Sequence, residues 1–396
     1  MEKIEKIRDQ IKEFDDLCGV DLSAEDISDV ALDVLLKCDF DTKTIWPELD
    51  KLPNGFSPEK VMEEAKDPGL GIRELHEQGI DGRGVTVAII DQSMSFEDGK
   101  FAVRQEFASN VVNYKEFGLD DEWCVSYHGV AVTSLLVGKT CGIAPGAKLV
   151  YRATSCGETP DDQRDFNAYA DALLDIIELN KTLPPKDRVR IVSCSIGYKE
   201  DRPEPGLDRW IETIKKAEDE GIVISDVGER TGVDYIGGGR SGDKNNIENY
   251  KYALFLKDTG EDDELLTELI SKKDVEGILK RFREIKKEEL ANKSDSEIRE
   301  KIEEFLSNGP RRDIVVPSDY RTMSSRLGPD EYMYNGKGGM SWAVPYLSGI
   351  FALVWQIKPD LKKEQIAEVV NQTAQTNTEG IRVINPKGII EAVQRL

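Results

Sequence analysis

The chain has 396 residues, enough for one large domain with additions or for two domains. Hydrophobic residues make up 39% and charged residues 33%, an ordinary globular balance with ample material for a core. The formal net charge of −23 sets the overall field against nucleic-acid phosphates and anionic membrane surfaces, so neither is an expected partner.

The first residues, MEKIEKIRDQIKEFDD, carry no apolar signal core and no cleavage site. No later stretch reads as long and apolar enough to span a bilayer, and the expected location is cytoplasmic. Residues 1–70 form an acidic segment predicted to be helical. Ile4, Ile7, Ile11 and Phe14 recur at helical spacing, and Val30, Leu32, Val34 and Leu35 give a second run. Pro47 and Pro53 interrupt the pattern, and a short helix is expected over 57–66, ending before Asp67-Pro68.

From Gly79 the texture changes. Val85-Thr86-Val87-Ala88-Ile89-Ile90 is a continuous β-favouring run, as in a strand buried on both faces. Similar runs follow at Ala147–Arg152, Val189–Cys194, Ile222–Ser225 and Asp313–Val316, with helical patterns between them at 129–137, 165–180 and 206–219. The alternation predicts an α/β fold, a doubly wound parallel sheet with helices on both faces. Further helices are expected at 341–357, 363–374 and 386–395. Residues 258–311 are highly charged and helical, an insertion read as a solvated hairpin, and Ser294 with Glu297 forms a capping box. The organisation is thus an N-terminal segment, 1–70, and a catalytic domain, 71–396, carrying the insertion.

Six cysteines are scattered without Cys-x-x-Cys spacing, which disfavours a metal cluster or a disulfide framework. No cofactor signature and no metal site are expected. The chain has only two histidines, His76 and His128, so histidine chemistry must use one of them. Asp91 closes the buried run Ala-Ile-Ile-Asp, at a strand end where parallel sheets place ligands and catalysts. Alone, it reads more readily as a cap for the next helix. His128 opens an apolar helix beside Gly129. A helix N-terminus disfavours an imidazolium, so a histidine there gains from a carboxylate partner. Ser341 follows Gly338-Gly339-Met340 at a helix start, where backbone N–H groups can hold an oxyanion; an ordinary N-cap serine is the plainer reading. The order Asp, His, Ser excludes two rivals. An α/β-hydrolase needs a histidine after its nucleophile, and no histidine follows Ser341. A chymotrypsin-like enzyme would be all-β with histidine first.

Together these blocks resemble the subtilisin-like serine proteases. Gly82-Arg83-Gly84-Val85-Thr86-Val87-Ala88-Ile89-Ile90-Asp91 is similar to the family's aspartate block and His128-Gly129-Val130-Ala131-Val132 to its histidine block. Gly142-Ile143-Ala144-Pro145 matches the Gly-Val-Ala-Pro turn. Gly339-Met340-Ser341-Trp342-Ala343-Val344-Pro345 resembles the serine block, and Ser195-Ile196-Gly197 the Ser-Leu-Gly of the substrate cleft. The resemblance covers residues 71–396 apart from the insertion. It implies a serine endopeptidase of a divergent intracellular branch, with Asp91, His128 and Ser341 as catalytic triad. A peptide or protein substrate would lie extended beside Ser195, Ile196 and Gly197, and the Ser341 backbone N–H would serve the oxyanion hole. The resemblance assigns no side-chain donor to that hole: where the family has Ala-Gly-Asn, this chain reads Val227-Gly228-Glu229. That departure keeps open an alternative, a catalytically silent pseudoprotease that binds peptides as a scaffold. Residues 1–70 are either a pro-segment or an accessory segment.

Overall fold

The computed structural model describes residues 11–94, 104–118, 127–154, 165–198, 204–228, 230–253, 274–285, 293–308 and 313–396. Along the chain the strands are β1 (Phe40–Asp41), β2 (Thr86–Gln92), β3 (Val111–Phe117), β4 (Lys148–Thr154), β5 (Val189–Ser193), β6 (Val223–Ser225), β7 (Tyr235–Arg240), β8 (Tyr250–Tyr252), β9 (Ile314–Pro317), β10 (Arg321–Ser324), β11 (Tyr332–Asn335), β12 (Gln375–Thr376) and β13 (Arg382–Val383).

The central sheet has five parallel strands in the order β3-β4-β2-β5-β6. Side chains alternate across a strand, so β2 feeds two cores. Val87 and Ile89 pack in the core that holds the helices His128–Val137 and Met340–Ile357. Ala88 and Ile90 pack with the helices Phe166–Thr182 and Leu207–Asp219. Burial on both faces is why this strand reads as an unbroken apolar run rather than an alternating one. The helix leading into β4 and the helix leading into β5 lie on opposite faces, so their connections part above the C-terminal end of β2. That crevice is where doubly wound sheets place their sites.

A second five-stranded sheet, β12-β13-β9-β7-β8, has parallel pairs at its centre and antiparallel edges. A three-stranded antiparallel sheet, β1-β11-β10, joins the N-terminal segment to the C-terminal half. Neither was expected from the sequence. The Met340–Ile357 helix does reach the length and apolarity of a bilayer span, contrary to the sequence expectation, but it is mostly buried inside the protein, which accounts for its composition.

The N-terminal segment is less helical than its periodicity suggests. Residues 1–10 lie outside the described residues. Ile11 lies in irregular chain and Phe14 in a turn, at φ 74°. The expected helices do form at Leu32–Lys37 and Pro58–Ala65. Elsewhere aspartates turn the chain: Asp16, Asp21 and Asp26 accept from the backbone N–H groups of Cys18, Ser23 and Ser28. Such local acceptors compete with helix formation. Leu17, Leu22, Ile27, Leu35, Phe40 and Phe56 form a small core closed by Tyr334 of β11.

Within the insertion, the helices Val275–Ile285 and Asp295–Asn308 pair around Ile278, Leu279, Ile298 and Ile302. The expected capping box is present. Glu297 Oε2 accepts from Ser294 N–H at 2.8 Å, and Ser294 Oγ accepts from Glu297 N–H at 3.3 Å.

Candidate active site

Asp91 is the penultimate residue of β2, buried, and its Oδ1 accepts the Gln92 N–H at 2.8 Å. The same oxygen lies 2.7 Å from Nδ1 of His128, the first residue of its helix. A carboxylate can only accept, so Nδ1 carries the proton and Nε2 is left as the basic nitrogen. The helix reaches this close because Gly129 has no side chain. A Cβ there would stand 2.3 Å from the Gln92 carbonyl oxygen and 2.4 Å from Tyr151 Oη. Burial disfavours the charged imidazolium, but the Asp91 charge and hydrogen bond outweigh it and raise the His128 pKa above its ordinary 6.5. The other histidine, His76, pairs its Nε2 with the Ile143 carbonyl at 2.9 Å, and burial lowers its pKa. It belongs to the structural frame.

Ser341 is the second residue of the Met340–Ile357 helix, so its backbone N–H is among the first-turn amides that have no intrahelical partner. The next residue, Trp342, lies against the His128 ring with centroids 5.2 Å apart. This places the helix start beside the histidine. Pro345 stands four residues after Ser341 and has no N–H to give to the Ser341 carbonyl. Ser195 Oγ supplies the missing donor at 2.9 Å. Ser195, Ile196 and Gly197 follow β5. Val227 N–H reaches the Ile196 carbonyl at 3.4 Å, and a Cβ on Gly197 would meet Val227 Cγ2 at 2.4 Å. Of the three residues expected along a substrate cleft, Ser195 is thereby held against the Ser341 backbone, while Ile196 and Gly197 meet Val227.

Several supporting residues escaped the sequence. Met340, where the family pattern has threonine, accepts the Gly237 N–H on its sulfur at 3.1 Å. Trp342 Nε1 donates to Asn335 Oδ1 at 3.1 Å. Gly338 has φ 82°, and a Cβ on it would lie 1.9 Å from Asp319 Oδ1. Asn245, near the expected oxyanion stretch in sequence, accepts the Gly71 N–H at 2.7 Å, and Asn246 caps the turn at 247–249. Both are committed elsewhere. Glu229 lies outside the described residues. A cavity of about 330 Å³ lies on the seam between the N-terminal segment and the rest, lined by Leu36, Ala65, Arg240, Lys244 and Tyr334 among others. Asp91, His128 and Ser341 do not line it, so it is separate from this chemistry.

A doubly wound parallel sheet, with an Asp–His pair over the end of its central strand and a serine opening the neighbouring helix, defines a subtilisin-like α/β protein. The chain belongs to the subtilase family, whose model matches residues 82–385. Among solved structures it resembles a chain of the subtilase cytotoxin SubAB assembly, with 16% identity and a TM-score of 0.50 over 83% of this chain and 95% of that one. It also resembles the prenylagaramide maturation protease PagA, with 14% identity and a TM-score of 0.47 over 82% of this chain and 98% of that one. The A-subunit of an AB5 toxin from E. coli gives 14% identity and a TM-score of 0.48 over 83% and 98% of the two chains.

Proposed function

We propose that this chain is a serine endopeptidase that hydrolyses peptide bonds through an acyl-enzyme, with Asp91, His128 and Ser341 as its triad. The observation that carries the reading is the 2.7 Å Asp91–His128 hydrogen bond, held beside the first turn of the helix that bears Ser341. Ser341 Oγ attacks the scissile carbonyl while its proton passes to His128 Nε2. The developing oxyanion faces the backbone N–H of Ser341. Collapse breaks the peptide C–N bond, and His128 returns the proton to the leaving amine. Water then attacks the ester, giving up a proton to His128; collapse breaks the C–Oγ bond, His128 returns the proton to Ser341 Oγ, and the acid is released. Asp91 keeps the imidazole in the correct tautomer and stabilises its charged form. Subtilisin is itself the reference case for these roles.

The peptide scaffold reading draws only on Glu229 standing where the family has asparagine. An assay of unfolded casein and labelled peptides separates the two. The catalytic reading predicts hydrolysis that falls by about 10⁴–10⁶-fold in Ser341→Ala. Peptide binding with no hydrolysis in the wild type would instead support the scaffold.

A further inference from the structure

The serine loop is tied to the N-terminal segment by a chain of hydrogen bonds whose direction chemistry fixes. Asp39 directly precedes β1 and is held on both sides of its backbone: its N–H donates to the Asp15 carbonyl at 2.9 Å, and its carbonyl accepts the Leu17 N–H at 2.8 Å. Its carboxylate accepts the Gly336 N–H on Oδ1 at 2.8 Å and the Asn335 Nδ2 on Oδ2 at 2.7 Å. With the Asn335 amide nitrogen turned toward Asp39, its oxygen faces the other way. That oxygen accepts the Gly338 N–H at 2.7 Å and the Trp342 indole at 3.1 Å. A carboxylate only accepts and an N–H only donates, so Asn335 has one allowed orientation, and Asp39 sets it. Backbone packing closes the seam: a Cβ on Gly336 would lie 2.6 Å from the Cys38 carbonyl oxygen.

We infer that Asp39 is a positioning residue for Ser341, acting through Asn335 to fix Gly338 and Trp342 on either side of the nucleophile. Residues of the N-terminal segment are then a working part of the active site. For its effect on catalysis this assignment rests on the protease reading; for the hydrogen-bond chain itself it does not.

Exchanging the two residues makes the test. In Asp39→Asn, the new amide can still accept the Gly336 N–H, but its NH₂ faces the NH₂ of Asn335. In Asn335→Asp alone, two carboxylates meet. In the double variant Asp39→Asn/Asn335→Asp, the amide at 39 donates to the carboxylate at 335, which still accepts from Gly338 and Trp342, and every bond is restored. Two readouts are taken on the full-length protein: the rate of fluorophosphonate labelling, and the hydrogen-exchange protection of the Trp342 indole N–H, assigned in the NMR spectrum through Trp342→Phe. The expected result is a labelling rate about 10²-fold lower in each single variant, the scale of a small misplacement at a reacting centre. Indole protection should fall in parallel, the thermal midpoint should drop with the lost buried bond, and all three should recover in the double variant. Indole protection unchanged in the single variants, or unrestored in the double variant, overturns the chain of bonds. Indole protection lost and regained while labelling stays level overturns the catalytic role. A wild type that does not label at all sinks the protease reading, while the indole signal still decides whether Asp39 holds the loop.

Discussion

Pro345 removes from the serine helix the one amide hydrogen that would have bonded the Ser341 carbonyl, and Ser195 Oγ takes its place. Ser195→Ala leaves that carbonyl without a partner, a loss of about 1–3 kcal/mol. The expected outcome is a fall in kcat of about tenfold or more, partly recovered when Pro345→Ala restores the helical donor. Steady-state kinetics on a peptide substrate checks both. Asp91→Asn should lower kcat by about 10⁴-fold with little change in KM, because the imidazole loses its tautomer while the cleft stays intact. The pH dependence follows from the raised pKa of His128. The stability that its charged pair with Asp91 provides is fully present below pH 6.5 and is lost as pH rises through the folded-state value. Activity runs the other way, since the base must be neutral, so kcat/KM should climb along a limb whose midpoint lies above 6.5. A profile flat from pH 6 to 8 would remove His128 from the role of base. Gly338→Ala should cost about 2 kcal/mol or more in stability, from its positive φ and its clash with Asp319, as read by denaturant unfolding. That Asp91 and His128 would pair beside a helix opened by Ser341 could be read from the sequence, because each stands in a short motif with a chemical reason of its own. Asp39 and Asn335 could not, since they meet across 296 residues and neither has a local signature.

Several parallel strands and their helices were legible as elements because burial on both faces leaves a largely apolar run, whereas the parallel strands β3, mostly unburied, β7, with three glycines, and the two-residue β13 were not. The Val85–Ile90 run became β2, and the runs at 147–152, 189–194, 222–225 and 313–316 became β4, β5, β6 and β9. β10 and β11 were not legible. Arg321-Thr322-Met323-Ser324 alternates no apolar face, and its pairing with β11 depends on register rather than composition. Residues 1–70 were read as helical, but between the two runs of helical spacing aspartates bonded to the backbone two residues on turn the chain instead. The helical insertion has its own small core of Ile278, Leu279, Ile298 and Ile302. Ile298→Asp should therefore open these helices to hydrogen exchange and proteolysis while leaving fluorophosphonate labelling within about twofold of the wild type. Collapse of labelling in that variant would give the insertion a part in the site that its packing does not suggest.

At the scale of the whole molecule, the N-terminal segment and the subtilase domain share a sheet and a core. β1 pairs with β11, Tyr334 Oη donates to the Leu36 carbonyl at 2.7 Å, and the Arg240 guanidinium donates to the Ala65 carbonyl at 2.9 Å. Removing residues 1–70 would strip these partners and expose the Phe40 and Tyr334 surfaces. The expected product is poorly folded and inactive, not an enzyme freed from inhibition, and mass spectrometry of the active protein should find the segment still attached. A truncated chain more active than the full one would make the segment a pro-segment. Whether Ser341 is a nucleophile activated by His128 and Asp91 is decided by fluorophosphonate labelling of the full-length protein, with the adduct located by peptide mapping. One adduct is expected, on Ser341, abolished by Ser341→Ala and strongly slowed by His128→Ala. A well-folded wild type that takes up no label, or carries it on another serine, would contradict it.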